Sequence, residues 1–200
     1  MGLKVTTNGS LRAIDVIGLT AAKLQCRVDD DFENELIADY CEAAWDYCER
    51  QSWRQWLPAT IVLTLPRFCF PVYLPRSPVV SIDSVTYYDA NNVQQSIAID
   101  DVFAFDITAE PVEITPAQNA IYPTTYQRPD AVTITYQAGK GTRKKDQNPS
   151  AMQAVRLLLA DYYENREAGM LSASQKTLDA AHALLDADSC RDYRVAPFVS

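Results

Sequence analysis

Nine of the eleven prolines in this 200-residue chain fall at positions 58, 66, 71, 75, 78, 111, 116, 123 and 129. Inside a helix, proline removes a backbone hydrogen bond and clashes with the preceding turn, so this stretch cannot be built from long helices. Between the prolines lie β-branched runs. Thr60-Ile61-Val62-Leu63-Thr64-Leu65 has strand composition, and Ala131-Val132-Thr133-Ile134-Thr135-Tyr136 alternates apolar with polar, the period of a strand with one buried face. A longer strand is expected over 79–88, with a bulge near Asp83. Asp89-Ala90-Asn91-Asn92 is a turn, since Asn tolerates the left-handed conformation, and 93–99 returns as the hairpin partner. Residues 103–107 and 112–114 are shorter strands. Short strands with turns about every eight to twelve residues predict a small, mostly antiparallel β sandwich or barrel-like module over 58–137.

Both flanks change period. Residues 1–57 read mostly as helix: a short one over 19–26, a break at Arg27-Val28-Asp29-Asp30, then a long one over about 31–53. Asp29, Asp30 or Asp31 caps the long helix, and Glu33 suits its first turn. Phe32, Leu36, Tyr40, Ala43, Ala44 and Tyr47 recur at spacings of three and four and are expected to face inward. Glu35, Asp39, Glu42, Asp46 and Glu49 then form an acidic outer face. Positions 29–49 hold nine acidic residues and no Lys or Arg. Residues 138–187 open with a basic loop carrying Lys140, Arg143, Lys144 and Lys145. Asn148-Pro149 is a strong helix start. The helix it begins runs to about 167, stopped by Gly169, with Met152, Val155, Leu158, Leu159 and Tyr162 repeating at helical spacing. A further helix over 174–186 turns Leu178, Ala181, Leu184 and Leu185 inward. Residues 188–200 read as an extended tail. The expected class is therefore α+β: a small bundle of N-terminal and C-terminal helices with an inserted β module.

Composition bounds the chemistry. Hydrophobic residues make up 48% and charged residues 22%, ordinary globular usage that argues against a disordered chain. No apolar run approaches a membrane span, so no membrane partner is expected. The opening Met1-Gly2-Leu3-Lys4-Val5 has no apolar core of signal-peptide type, which reads as a chain made and kept in the cytosol. A net charge of −8 and a pI near 4.6 argue against general phosphate gripping. The five cysteines (26, 41, 48, 69, 190) contain no Cys-x-x-Cys pair, so neither a disulfide framework nor a zinc knuckle is expected. Asp29-Asp30-Asp31 lacks the glycine and closing glutamate of a calcium loop. Gly139-Lys140-Gly141-Thr142 has the wrong order for a phosphate loop. The single histidine, His182, sits in a helix and is expected to be structural or solvated. With no nucleophile–base set, no G-x-S-x-G and no dinucleotide fingerprint, the chain is not expected to be an enzyme or to hold a cofactor or metal.

Several segments, in order, carry a resemblance. They are Ala21-Ala22-Lys23-Leu24-Gln25-Cys26-Arg27-Val28-Asp29, then Asp30-Asp31-Phe32-Glu33-Asn34-Glu35-Leu36-Ile37, then Ala43-Ala44-Trp45-Asp46-Tyr47-Cys48-Glu49. Later come Pro78-Val79-Val80-Ser81-Ile82-Asp83-Ser84-Val85-Thr86-Tyr87, Asp130-Ala131-Val132-Thr133-Ile134-Thr135-Tyr136-Gln137-Ala138-Gly139, and the helix beginning Pro149-Ser150-Ala151-Met152. Over about residues 19–170 the chain resembles the head–tail connector proteins of tailed bacteriophages, also called head-completion or adaptor proteins, in their longer branch with an inserted β module. It departs from them in Gln25-Cys26 before Arg27 and in the acid-rich second helix.

The resemblance implies a structural virion protein of the neck, assembled in the host cytoplasm. Its partners would be the portal protein, the tail or stopper protein, and further copies of itself in a ring of twelve. Packaged DNA would pass through the lumen without sequence-specific binding. The tail would dock on the portal through Arg191, Tyr193, Arg194 and Phe198. The basic loop (Lys140, Arg143, Lys144, Lys145) would face a neighbouring copy or DNA. The acidic face (Glu35, Asp39, Glu42, Asp46, Glu49) would line the lumen or meet a neighbour. Two other readings stand beside this one: a tail-side completion or stopper protein, and a ligand-binding β module unrelated to phage.

Overall fold

The computed structural model describes residues 2–7, 11–99, 103–118, 123–166 and 174–190. These residues form an α+β fold in two compact units. A sheet unit gathers Leu57–Gly139 with the strand Gly2–Thr7. A helical unit gathers the described residues of Gly9–Trp56 and Lys140–Arg191.

Among the described residues the sheet unit contains eight strands: β1 (Gly2–Thr7), β2 (Ala59–Leu65), β3 (Val72–Tyr73), β4 (Val79–Tyr88), β5 (Gln94–Ile97), β6 (Phe103–Phe105), β7 (Glu113–Pro116) and β8 (Val132–Ala138). They form two antiparallel sheets, ordered β1-β2-β8-β4-β5 and β3-β7-β6, and neither closes into a barrel. In β2 and β8 every second residue is buried, as the alternation in the sequence requires. Ile61, Leu63, Val85, Ile134 and Tyr136 from the larger sheet pack with Leu74, Val112, Ile114 and Phe103. Each such buried side chain contributes about 1.5 to 3 kcal/mol. The Tyr136 hydroxyl donates to the Pro75 carbonyl, satisfying the polar end of a buried ring. The register of β4 slips between Ile82 and Ser84, a bulge at the expected Asp83. The strand β1 is an addition to the expectation of helix in this region. Its Leu3 and Val5 lie opposite the buried Leu63 and Ile61 yet stay 40% and 39% exposed.

The helical unit contains α1 (Ala13–Ile17), α2 (Leu19–Cys26), α3 (Asn34–Ser52), α4 (Pro149–Glu164) and α5 (Gln175–Asp186). Asn148 caps α4 by accepting from the Ser150 amide at 2.9 Å, with Pro149 in the first turn. Ser174 caps α5 through the Thr177 amide. Met152, Val155, Leu158, Leu159 and Tyr162 are buried on α4. N-terminal and C-terminal helices pack together, and α3 and α4 run antiparallel. Glu33, at the start of α3, meets Tyr163 and Arg166 at the end of α4. Trp56, just past α3, accepts from the Lys140 amide ahead of α4 at 3.0 Å.

The inner face of α3 is a correction to the sequence reading. The buried positions are Ile37, Ala38, Cys41, Ala44, Trp45, Cys48, Glu49 and Ser52. Phe32 precedes the helix and is 95% exposed. The spacing of three and four is right, but the stripe starts from Ile37, so Leu36, Tyr40, Ala43 and Tyr47 sit only at its margin. The same rotation carries Glu49 from the outer face to the inside.

Candidate interaction surfaces

The acidic face of α3 is organised by a residue the sequence reading passed over. Arg12, just before α1, places its guanidinium 3.4 Å from Glu35, 3.1 Å from Asp39 and 3.5 Å from Glu42. The Ala13 amide donates to Glu42 at 2.6 Å. One cation against three carboxylates leaves this surface negative. Glu35 and Asp39 are the most open, with side chains 88% and 71% exposed. Exposed pairs of this kind contribute about 0.2 to 1 kcal/mol each, so the cluster sets charge more than stability. Asp46 is paired with Arg50, one turn on, at 3.0 Å.

Glu49 does not belong to that surface. Its carboxylate accepts from the Trp56 amide at 2.7 Å and lies 3.4 Å from the Gln55 side-chain nitrogen. Trp53 takes the left-handed conformation that ends α3, so the chain turns back over its last turn. Trp56 is fully buried and meets Trp45 edge-on at 5.1 Å. Glu49 is a structural cap for this reversal. A buried carboxylate two turns after a solvated one carries no distinguishing mark in sequence.

The four cations of the basic loop separate into three roles. Lys140 turns inward to Asp188 at 2.6 Å, and Arg54 donates to the Asp188 carbonyl at 2.7 Å. Arg143 pairs with Asp146 at 3.2 Å. Lys144 and Lys145 begin the 3-10 turn Lys144–Asp146 and are exposed. The turn is pinned on both sides. Gln147 donates to the carbonyls of Gly141 at 2.8 Å and Trp56 at 3.3 Å. A Cβ at Gly141 would stand 2.8 Å from the Asp146 carboxylate.

Arg191, Tyr193, Arg194 and Phe198 lie outside the described residues. The last described residue before them, Cys190, donates its amide to Ser52 at the end of α3. His182 lies 2.9 Å from the Tyr47 hydroxyl, in a partly buried contact. Burial pushes the Cys26 thiol up to about 11 and the Cys41 thiol to about 12, and raises Cys48 further. Thiols held protonated in this way are poor nucleophiles. Among the described residues, no group of three or more His, Cys, Asp or Glu is placed to hold a metal ion. No described helix is long and apolar enough to cross a membrane.

No protein-family model matches the chain, and no curated protein matches its sequence. Solved structures do match its fold. A chain of the virion of the native gene transfer agent particle superposes with a TM-score of 0.67 at 20% identity, over 90% of this chain and 93% of that one. A chain from the neck of the empty particle, computed with C6 symmetry, gives 0.67 at 21% identity over 91% and 94%. One from the neck of the native particle, computed with C12 symmetry, gives 0.64 at 21% over the same shares. Across nearly its whole length, the chain shares its fold with components of a phage-like particle.

Proposed function

We propose that this chain is a structural neck protein of a phage-like particle. Its copies form a ring under the portal, extend the DNA channel and provide the platform on which the tail or stopper docks. The observation that carries this reading is the fold likeness to chains of the gene transfer agent particle and its neck, over nine-tenths of both partners. Coverage of that extent takes in strands and helices alike. The motif order read from the sequence points the same way. A neighbour from a neck computed with C12 symmetry supports a ring of twelve.

The chemistry suits a conduit. A net charge of −8 opposes tight binding to phosphates and favours a wall past which DNA slides. The exposed carboxylates of Glu35, Asp39, Glu42 and Asp46 would face the lumen or a neighbouring copy, without Glu49. The tail residues Arg191, Tyr193, Arg194 and Phe198 would reach the portal, Tyr and Arg being common interface anchors. On this reading the chain serves as a structural protein rather than as an enzyme.

The test is to mix the purified chain with portal rings and image the product by cryo-electron microscopy. A ring of this protein, coaxial with the portal channel at its narrow end, is expected. Association with tail components alone would move the chain to the stopper position. A stable monomer that ignores both would overturn the reading.

A further inference from the structure

Within the helical unit, the exposed turn of Lys144 and Lys145 and the acidic cluster around Arg12 stand toward opposite ends of α3. Because α3 and α4 are antiparallel, the basic turn ahead of α4 sits beside the end of α3, where Trp56 accepts the Lys140 amide. The Arg12 cluster lies toward the start of α3. Asp39 and Ser52 are thirteen positions apart on this helix, about 20 Å along its axis. No lysine side chain covers that span, so Lys144 and Lys145 cannot reach Glu35 or Asp39 of their own chain.

Each end also carries an excess of one sign. Lys140 and Arg143 are held by Asp188 and Asp146, whereas Lys144 and Lys145 project from a pinned turn, Lys145 sharing with Arg143 the single carboxylate of Asp146. Glu35, Asp39 and Glu42 share the single Arg12 guanidinium. A body with excess positive charge at one end of α3 and excess negative charge at the other is complementary to a copy of itself, joined head to tail. Two different patches meeting in this way form a heterologous contact, the kind that closes into a ring.

Resting on the ring reading above, we propose that Lys144 and Lys145 of one copy dock on Glu35 and Asp39 of the next. The occupant is a second copy rather than DNA, because the rest of the chain is acidic and the matching anionic surface is its own. The contact steers neighbours into register and weakens with salt.

Zero-length carbodiimide cross-linking tests this on the full chain, free and assembled on portal rings, with equal parts of isotopically light and heavy protein. The expected result is mixed-isotope peptides joining Lys144 or Lys145 to Glu35 or Asp39. A second arm uses charge reversal. Lys144→Glu with Lys145→Glu, and separately Glu35→Lys with Asp39→Lys, should each weaken self-assembly up to about fivefold per contact. Mixed one to one, the two variants should assemble again, because each then meets its opposite charge. Rings that form normally with Lys144→Glu/Lys145→Glu, or that cross-link these lysines only to portal or to DNA phosphates, would overturn the proposal and leave the connector reading intact. Wild-type chain that forms no ring alone or on a portal would overturn both.

Discussion

Removing the Asp188 carboxylate should cost the helical unit about 3 kcal/mol. Its side chain is 7% exposed, and the partners Lys140 and Arg54 are 19% and 10% exposed. Oδ1 lies 2.6 Å from the Lys140 ammonium and 3.9 Å from the Arg54 guanidinium. Asp188→Ala removes the carboxylate from between two nearly buried cations, and breaking a buried pair in this way typically costs about 3 to 5 kcal/mol. The lower figure applies because Lys140 can turn toward water. Asp188→Asn keeps the shape and one acceptor, so about 1.5 kcal/mol is expected. Lys140→Met leaves Asp188 beside Arg54 and should cost about 1 kcal/mol. The assay is urea unfolding followed by tryptophan fluorescence. All three tryptophans (45, 53 and 56) belong to the helical unit, so the signal reports that unit. A loss under about 1 kcal/mol for Asp188→Ala, or equal losses for Ala and Asn, would refute the argument that the carboxylate is needed to neutralise this corner.

Acid should destabilise the fold through Glu33 and Asp31. Hydrogen bonds from Tyr163 and then Arg166 hold Glu33 below its ordinary value, and Lys23 and then Asn34 do the same for Asp31. A depressed carboxylate contributes stability above its unfolded value and loses it as pH falls through the folded one. Urea midpoints should therefore be level down to about pH 5 and then fall, with a shallower acid limb in Glu33→Gln; an unchanged limb would remove Glu33 from the account. In a thiol-labelling time course on native protein near pH 8, the half-exposed Cys69 should react first. Cys41 and Cys48, buried and raised, should react only on unfolding, and labelling of either at the Cys69 rate would contradict their burial. Gly139→Ala should destabilise the sheet unit by about 2 to 3 kcal/mol. Its φ is +139°, and a Cβ would lie 2.8 Å from the backbone of Leu57 and Pro58. Gly18→Ala, at φ +87° and ψ 125° with nothing within 4 Å, should cost about 1 to 3 kcal/mol from backbone strain alone, and thermal unfolding by circular dichroism measures both.

The fold was legible where local chemistry is decisive. Proline spacing and alternation located β2, β4 and β8, and Asn148-Pro149 marked the start of α4 to the residue. The failures have a common cause. Periodicity gives the spacing of a buried stripe but not its phase, and beside a run of tyrosines and alanines the phase of α3 was set by Ile37, Cys41 and Cys48. The strand β1 lies in a segment that reads mostly as helix, although Leu3-Lys4-Val5-Thr6 alternates, and its exposed side chains are held mainly by pairing with β2. Arg12 was missed because its three carboxylate partners lie more than twenty positions away. The basic loop could be seen as a cluster. That Lys140 would turn inward depends on Asp188, which only the packing of α5 brings near.

The interrupted helical unit also sets the order in which the chain can fold as it is made. The apolar stripe of α3 ends at Ser52, but its partner α4 begins only at Pro149. At roughly 5 to 20 residues per second, the ribosome needs on the order of 5 to 20 s to supply it. Leu57–Gly139, by contrast, is continuous and holds seven of the eight strands, so most of the sheet can form while α3 still waits. During that interval the part of the α3 stripe that α1 and α2 do not cover stands open, a window in which chaperone capture or co-translational aggregation would act on α3.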